Sequence, residues 1–238
     1  MKVQLYKISN RLNGCLICGK PLVYSETVSG RVCHICGSSY ETQVSCEVGH
    51  FICDKCHSSA VPDILLFLRN SDEKNVTMLF RKVTELRGVN LHGPEHHTIV
   101  PAVLLTSYRN NGGEIDYNTA INTLVSRAGK LPGGICGYWG ACGAAVGAGI
   151  YASVLLGSNP LNAAVWSIPQ LLTSRCLEKI AEVGGPRCCK RTARISIELA
   201  GAFTREQAGI VIPVDNKSCG YSGRNRECTG DRCPYYGG

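Results

Sequence analysis

From about residue 61 onward, apolar residues recur at the three- and four-residue spacing that gathers them on one face of an α-helix. The segment "VPDILLFLRN" opens this pattern, with Pro62 in the first turn, where a missing N–H costs nothing. The same spacing predicts helices over about 75–87, 94–110, 117–129, 139–156, 169–183 and 188–203. In "IDYNTAINTLVSRAGK", Ile121, Leu124, Val125 and Ala128 fall together and Gly129 suits the stop. Only "GIVIPV", 209–214, reads as a short strand. Neither an internal repeat nor a low-complexity linker interrupts the chain. The expected fold class is mainly α: a helical bundle over 61–238 with an irregular C-terminal loop, preceded by a small turn-rich module over 1–60.

One stretch departs from ordinary amphipathic patterning. Between Lys130 and Arg175 there is no charged residue and no histidine. Such a run raises a membrane hairpin, since roughly 20 apolar residues can cross a bilayer. However, Gly157, Ser158, Asn159, Pro160 and Asn162 break it, and glycine and alanine dominate it rather than leucine. The reading adopted is two buried helices at the centre of a soluble bundle. Within "GGICGYWGACGAAVGAGI", Gly143 and Gly147 are spaced to let another helix approach closely. That spacing explains "AAVGAGI" by packing and leaves Cys136 and Cys142, around Trp139 at an expected helix start, for chemistry.

Composition changes the picture through cysteine, of which there are 15 in 238 residues. The start, "MKVQLYKISNRLNG", has no apolar run of the secretory kind, so the expected location is cytoplasmic, where thiols stay reduced. Reduced cysteines at this density point to metal. Cys15 and Cys18 with Cys33 and Cys36 give C-x2-C-x14-C-x2-C, and Cys46, His50, Cys53 and Cys56 supply four further ligands. The expected module is therefore zinc-ribbon-like, of treble-clef or cross-brace type, with two zinc ions. Pairing in chain order puts Cys15, Cys18, Cys33 and Cys36 on one ion and Cys46, His50, Cys53 and Cys56 on the other. Interleaved pairing, and His57 in place of His50, are the alternatives. Four protein ligands leave no open position, so these sites are structural or partner-binding.

In "LHGPEHHTIVPAVLL", His92, Glu95, His96 and His97 fall within six residues. "HGPEH" formally fits the inverted zinc-protease pattern, but Pro94 suits a helix start and leaves His92 outside it. The four residues are instead expected to line a polar site as acid, base or secondary ligands. Glu95 in a first helical turn also complements the helix dipole.

Further cysteines follow at Cys176, Cys188, Cys189, Cys219, Cys228 and Cys233. Cys176 lies between apolar positions and reads as core. "CGYSGRNRECTGDRCP" has no apolar period, so its cysteines need another reason. Cys188, Cys189, Cys219, Cys228 and Cys233 are expected to bind a cofactor. An iron–sulfur cluster, a third zinc and metal-free redox thiols are the candidates. Residues 187–238 carry nine basic against five acidic side chains, within a net charge of +7. Arg187, Lys190 and Arg191 are expected to receive an anionic substrate or to lower thiol pKa values.

"HGPEHHTIVPAVLL", "GGICGYWGACGAAVGAGI" and "GGPRCCKRT", after "CEVGHFICDKCH", resemble an uncharacterised cysteine-rich prokaryotic family of unknown function. The resemblance implies anaerobic archaeal and bacterial hosts and a link to methyl-transfer pathways. It implies nothing specific about activity. Locally, "CGAAVGAG" is similar to the helical redox family with the C-GCAxxG-C-C pattern, although the full GCA signature is absent.

Together these features lead to the expectation of a metalloprotein enzyme of redox or sulfur-transfer type, using an iron–sulfur cluster or reactive cysteines. Its expected partner is an anionic small molecule or a protein. The competing expectation is a non-enzymatic zinc adaptor that binds protein or nucleic acid. A module charge of only +2 and few aromatics make the nucleic-acid footprint weak.

Overall fold

A computed structural model describes residues 14–237, so the apolar-poor start of the chain lies outside the described residues. Strands β1 (Leu22–Val32) and β2 (Ser39–Cys46) form an antiparallel ribbon, followed by the one-turn helix α1 (Asp54–His57). The bundle comprises α2 (Val61–Arg69), α3 (Val76–Glu85), α4 (Glu95–Asn110) and α5 (Tyr117–Ala128), then the one-turn α6 (Ile135–Tyr138). It closes with α7 (Gly143–Leu155), α8 (Ser167–Val183) and α9 (Cys189–Ala208). The protein is therefore mainly helical, as its periodicity predicts.

Local chemistry sets the helix ends. Asn75 Oδ1 accepts the Thr77 and Met78 N–H groups, each at 3.0 Å, to start α3. Asp116 Oδ1 accepts the Thr119 N–H at 3.2 Å to start α5. Gly209, in the left-handed region with φ 67°, ends α9.

Helix α4 is the axis of the bundle, with every residue from Glu95 to Tyr108 buried. Around it pack Ile64 and Leu68 of α2, Leu79 of α3, Leu124 of α5 and Ile197 of α9. Pro101 within α4 has no N–H to give the His97 carbonyl one turn back. Helix α7 lays Gly147 against that carbonyl, so closely that an added Cβ would stand 2.9 Å from the oxygen and 3.0 Å from Pro101 Cδ. Gly143 meets the His97 ring in the same way, and Gly149 meets Thr173 of α8. The small residues of the charge-free stretch thus serve helix contact on two sides. No helix of the described residues is long and apolar enough to cross a membrane.

Three expectations need correction. The segment 209–214 is irregular and pairs with no strand. Its neighbourhood instead ties down α3, with the Val76 N–H donating to Pro213 O at 3.0 Å and the Asp215 N–H to Thr77 Oγ1 at 2.9 Å. The turn-rich module contains the ribbon that local patterning missed, because most of its side chains are exposed and no apolar alternation marks it. The helix expected over 139–156 begins at Gly143, because Gly140 adopts φ 66° and Cys142 is extended.

Gly147→Ala should lower unfolding free energy by on the order of 1–3 kcal/mol, because backbone and proline atoms on α4 cannot swing aside. Gly30→Ala, with open space around the added carbon, should stay within about 0.5 kcal/mol of the parent. Denaturant unfolding of both variants checks the contrast.

Candidate metal centres and the network beside them

The module brings its eight predicted ligands into two sets. Cys15, Cys18, Cys46 and His50 form one; Cys33, Cys36, Cys53 and Cys56 form the other, with all donor atoms in each set within 4.8 Å of one another. Cys18 and Cys46 sulfurs are 3.8 Å apart, and Cys36 and Cys53 sulfurs 3.9 Å. A tetrahedral ion with metal–sulfur bonds of about 2.3 Å has sulfur–sulfur edges of about 3.8 Å, so the spacing is consistent with zinc. His50 Nδ1 lies 3.3 Å from Cys18 Sγ and 3.8 Å from Cys15 Sγ.

The pairing is interleaved, which corrects the chain-order assignment. Antiparallel registry from Leu22↔Cys46 to Val32↔Ser39 fixes it. The Cys15–Cys18 turn precedes β1 and Cys46 ends β2, so both lie at one end of the ribbon. The Cys33–Cys36 turn joins the strands at the other end. The chain then runs back beside that turn, where the His34 N–H donates to Phe51 O at 2.8 Å, and delivers Cys53 and Cys56. Gly19 and Gly37, at φ 71° and 72°, close the two Cys-x2-Cys turns by N–H donation to Cys15 O and Cys33 O.

His57 joins neither set. Its Nδ1 lies 3.0 Å from Glu95 Oε2, while the Asn90 N–H donates to Glu95 Oε1 at 3.0 Å. Burial alone would raise the Glu95 carboxyl, but the His57 contact holds it down to about 2. His96 Nδ1–H donates to Gly93 O at 3.1 Å, leaving Nε2 to accept from Lys190 Nζ at 2.8 Å. Burial keeps this imidazole neutral, its pKa well below the usual value. Lys190 Nζ also donates to Asn90 O at 3.0 Å, and burial pushes its pKa down to about 8. His97 Nδ1–H donates to Leu131 O at 3.2 Å. His92 lies outside α4, as Pro94 predicts, with its Nε2 3.0 Å from Asn225 Oδ1.

The C-terminal cysteines divide. Cys188, Cys219, Cys228 and Cys233 line one open cleft, together with Lys190, Arg191, Arg194, Lys217 and Tyr221. Asn225 Nδ2 faces Cys188 Sγ at 3.6 Å, and the Tyr221 N–H donates to Cys219 Sγ at 3.3 Å. Cys189 does not line this cleft; its thiol turns toward Gly93 and is pushed up to about 12 by burial, against the pull of the Gly93 N–H and Arg187. Arg191 spends its guanidinium on Gly184 O, Pro186 O and Thr229 Oγ1, at 2.6, 2.7 and 3.0 Å. Arg187 stands over the Tyr24 ring at 5.5 Å, away from the cleft. Cys136 lies in α6, Cys142 caps α7, and Cys176 is buried in the core. Among these groups, Asn90, His57 and Asn225 act as bonding partners that no local motif marks. Asn225 stands out only by lying inside the cysteine loop.

Residues 64–236 match the family of unknown function DUF5714, so the match leaves out the module with its two ligand sets. No curated protein and no solved structure matches the chain.

The pairing predicts metal stoichiometry. Cys15→Ser/Cys46→Ser should lose one metal ion per chain, and Cys15→Ser/Cys33→Ser should lose both; chain-order pairing gives the reverse. Elemental analysis of the purified variants decides. For Glu95, the depressed carboxyl contributes stability that is complete above pH 4.5, its ordinary value, and is lost as pH falls toward about 2. Glu95→Gln should therefore be less stable than the parent at neutral pH by on the order of 3 kcal/mol, with the gap narrowing below pH 4.5. A gap independent of pH would contradict the assignment.

Proposed function

For a chain that belongs to DUF5714, a family of unknown function, we propose a two-part metalloprotein: a zinc-stabilised module joined to a helical redox or sulfur-transfer domain. The module's two tetrahedral sets take zinc, and their closed shells make them structural. The helical domain holds an iron–sulfur cluster on Cys188, Cys219, Cys228 and Cys233, in a reducing compartment.

The observation that carries this reading is the convergence of four cysteines on one cleft edged by Lys190, Arg194 and Lys217. Three of them come from a loop with no apolar pattern, so packing does not account for them. Among the described residues, only the module sets gather three or more donors within 4.8 Å. The cleft thiols do not form a compact single-ion set of that kind, and a polynuclear group is the reading that takes all four. The surrounding cations offset the negative charge of thiolate-bound iron and sulfide. His92, Asn225 and Cys188 form a chain of contacts that orients one ligand and supplies a hydrogen bond to its sulfur.

A second reading, a zinc adaptor that binds a partner protein, is favoured by the exposed apolar residues of the ribbon, among them Val28, Val32 and Tyr40. It requires every metal to be zinc.

Anaerobic purification followed by metal and acid-labile sulfide analysis separates the two. The redox reading predicts zinc together with iron and sulfide, and a broad absorption near about 400 nm that bleaches on reduction. A colourless protein containing zinc alone would leave the adaptor. In the iron-loaded protein, Asn225→Leu removes the hydrogen bond to Cys188 and should move the reduction potential to a more negative value, measurable by redox titration.

A further inference from the structure

The four cysteines occupy only part of their cleft. It encloses about 790 Å³ up to its open mouth, within the size range of small-molecule sites. Helix α3 contributes Thr77, Met78, Phe80, Arg81 and Thr84 to the lining, and the metal reading uses none of them. The segment 215–219 is held between α3 and α9. The Asp215 N–H donates to Thr77 Oγ1 at 2.9 Å, and Arg194 Nη1 donates to Lys217 O at 2.6 Å. The end of the chain is tied to the same segment, with the Cys219 N–H donating to Tyr235 O at 2.7 Å and Arg194 lying 3.9 Å over the Tyr235 ring.

Most polar groups along this lining are already engaged. Thr77 Oγ1 donates to Asn75 Oδ1 at 2.7 Å, and the Tyr235 hydroxyl donates to Glu198 Oε2 at 2.8 Å. Thr84 Oγ1 donates to Arg81 O at 3.0 Å, which leaves it to accept the Tyr221 hydroxyl at 2.8 Å. Arg191 is committed to its three oxygen acceptors and Lys190 to His96 and Asn90. What these residues leave for a ligand is apolar surface: Met78, Phe80 and the rings of Tyr221 and Tyr235. Two donors are the exception. Lys217, exposed at the cleft, finds no oxygen for its Nζ among the described residues and has only the weak acceptor Met78 Sδ at 3.7 Å. Arg194 Nε is buried with no partner, although its Nη atoms reach Lys217 O, Asp215 O and Glu198. Asp215, the one carboxylate of the lining, accepts the Lys217 backbone N–H at 3.2 Å and does not pair with the ammonium.

We propose that the α3 side of the cleft binds a small organic anion, an apolar or aromatic body carrying one carboxylate or sulfonate, with Lys217 receiving the charged group. An apolar body suits a lining whose hydrogen bonds are filled, because a polar one would lose its water without gaining partners. A single anionic head suits the one ammonium of the cleft that has no oxygen partner among the described residues. The site differs from the cations expected from sequence, since Arg187 stands away from the cleft and Lys190 and Arg191 are engaged. Lys217 is two residues from Cys219, so on the iron–sulfur reading the ligand lies beside the cluster. Binding of the ligand itself does not depend on iron.

The test is calorimetric titration of the full chain, purified anaerobically, with naphthoate, with its neutral analogue naphthylmethanol and with sodium sulfate as competitor. Iron is measured on the same sample. The expected result is one naphthoate per chain, bound about tenfold more tightly than the alcohol, with Lys217→Met abolishing the difference. Lys217→Arg should retain most of it. Lys130→Met, which removes an exposed cation outside the cleft, should change nothing. Absence of naphthoate binding, or binding that Lys217→Met leaves unchanged, would overturn the site. Displacement of naphthoate by an equal concentration of sulfate would overturn the organic ligand and leave an inorganic-anion site only. Iron without naphthoate binding refutes this site and spares the cluster reading, whereas naphthoate binding without iron supports the site and refutes the cluster.

Discussion

A buried carboxylate ties the two halves of this protein together, beside contacts such as the Gly133 N–H donating to Asp54 Oδ2 at 2.8 Å. Glu95 is 0 % exposed, yet it stays ionised because the Asn90 N–H and His57 each engage one of its oxygens. His57 belongs to the module and Glu95 begins the central helix of the bundle, so the contact fixes the candidate metal sites against the helical core. Gly93 makes this possible, since an added Cβ there would collide with both the His57 ring and the Glu95 carboxylate. One residue further on, His96 carries the network to Lys190, which closes it by donating to Asn90 O. A buried charge is tolerable only when its hydrogen-bonding capacity is filled, and here three elements contribute to filling it.

That anchoring also sets the directions in which the cysteines at the start of α9 point. Lys190 is locked in place one residue from Cys189 and two from Cys188, so the start of α9 presents its two thiols in set directions. The cleft receives Cys188 beside the loop cysteines, whereas Cys189 turns toward Gly93 at the start of α4. Cys176, fully buried among aliphatic side chains, is a packing residue. The module's seven thiols and His50 form two compact four-donor sets. A chain with 15 cysteines therefore contains several kinds of thiol environment, distinguished by donor spacing, burial and nearby cations.

Much of this was legible in one dimension. Helical periodicity located α2 to α5 and α7 to α9 because each presents an apolar face to the same core. Pro94 placed the start of α4, and the Gly143–Gly147 spacing anticipated the close packing on α4. The eight module ligands were readable from turn-forming Cys-x2-Cys spacing. Their pairing was not, because it follows from the registry of a ribbon whose exposed strands carry no apolar alternation. The network was equally hidden: His57 and Glu95 are 38 residues apart, His96 and Lys190 94, and His92 and Asn225 133. Sequence grouped Cys188 with Cys189; only the turn of the backbone at α9 separates them.

The proposed function requires one chain to sort two metals between its halves, zinc to the module's compact ligand sets and iron to the cleft cysteines. X-ray absorption at both metal edges of anaerobically purified protein tests this most directly. The expected result is zinc with sulfur at about 2.3 Å and nitrogen at about 2.0–2.1 Å, and iron with a sulfur shell and iron–iron scattering. Zinc in every site with no iron edge, or iron as isolated ions without iron–iron scattering, would contradict it.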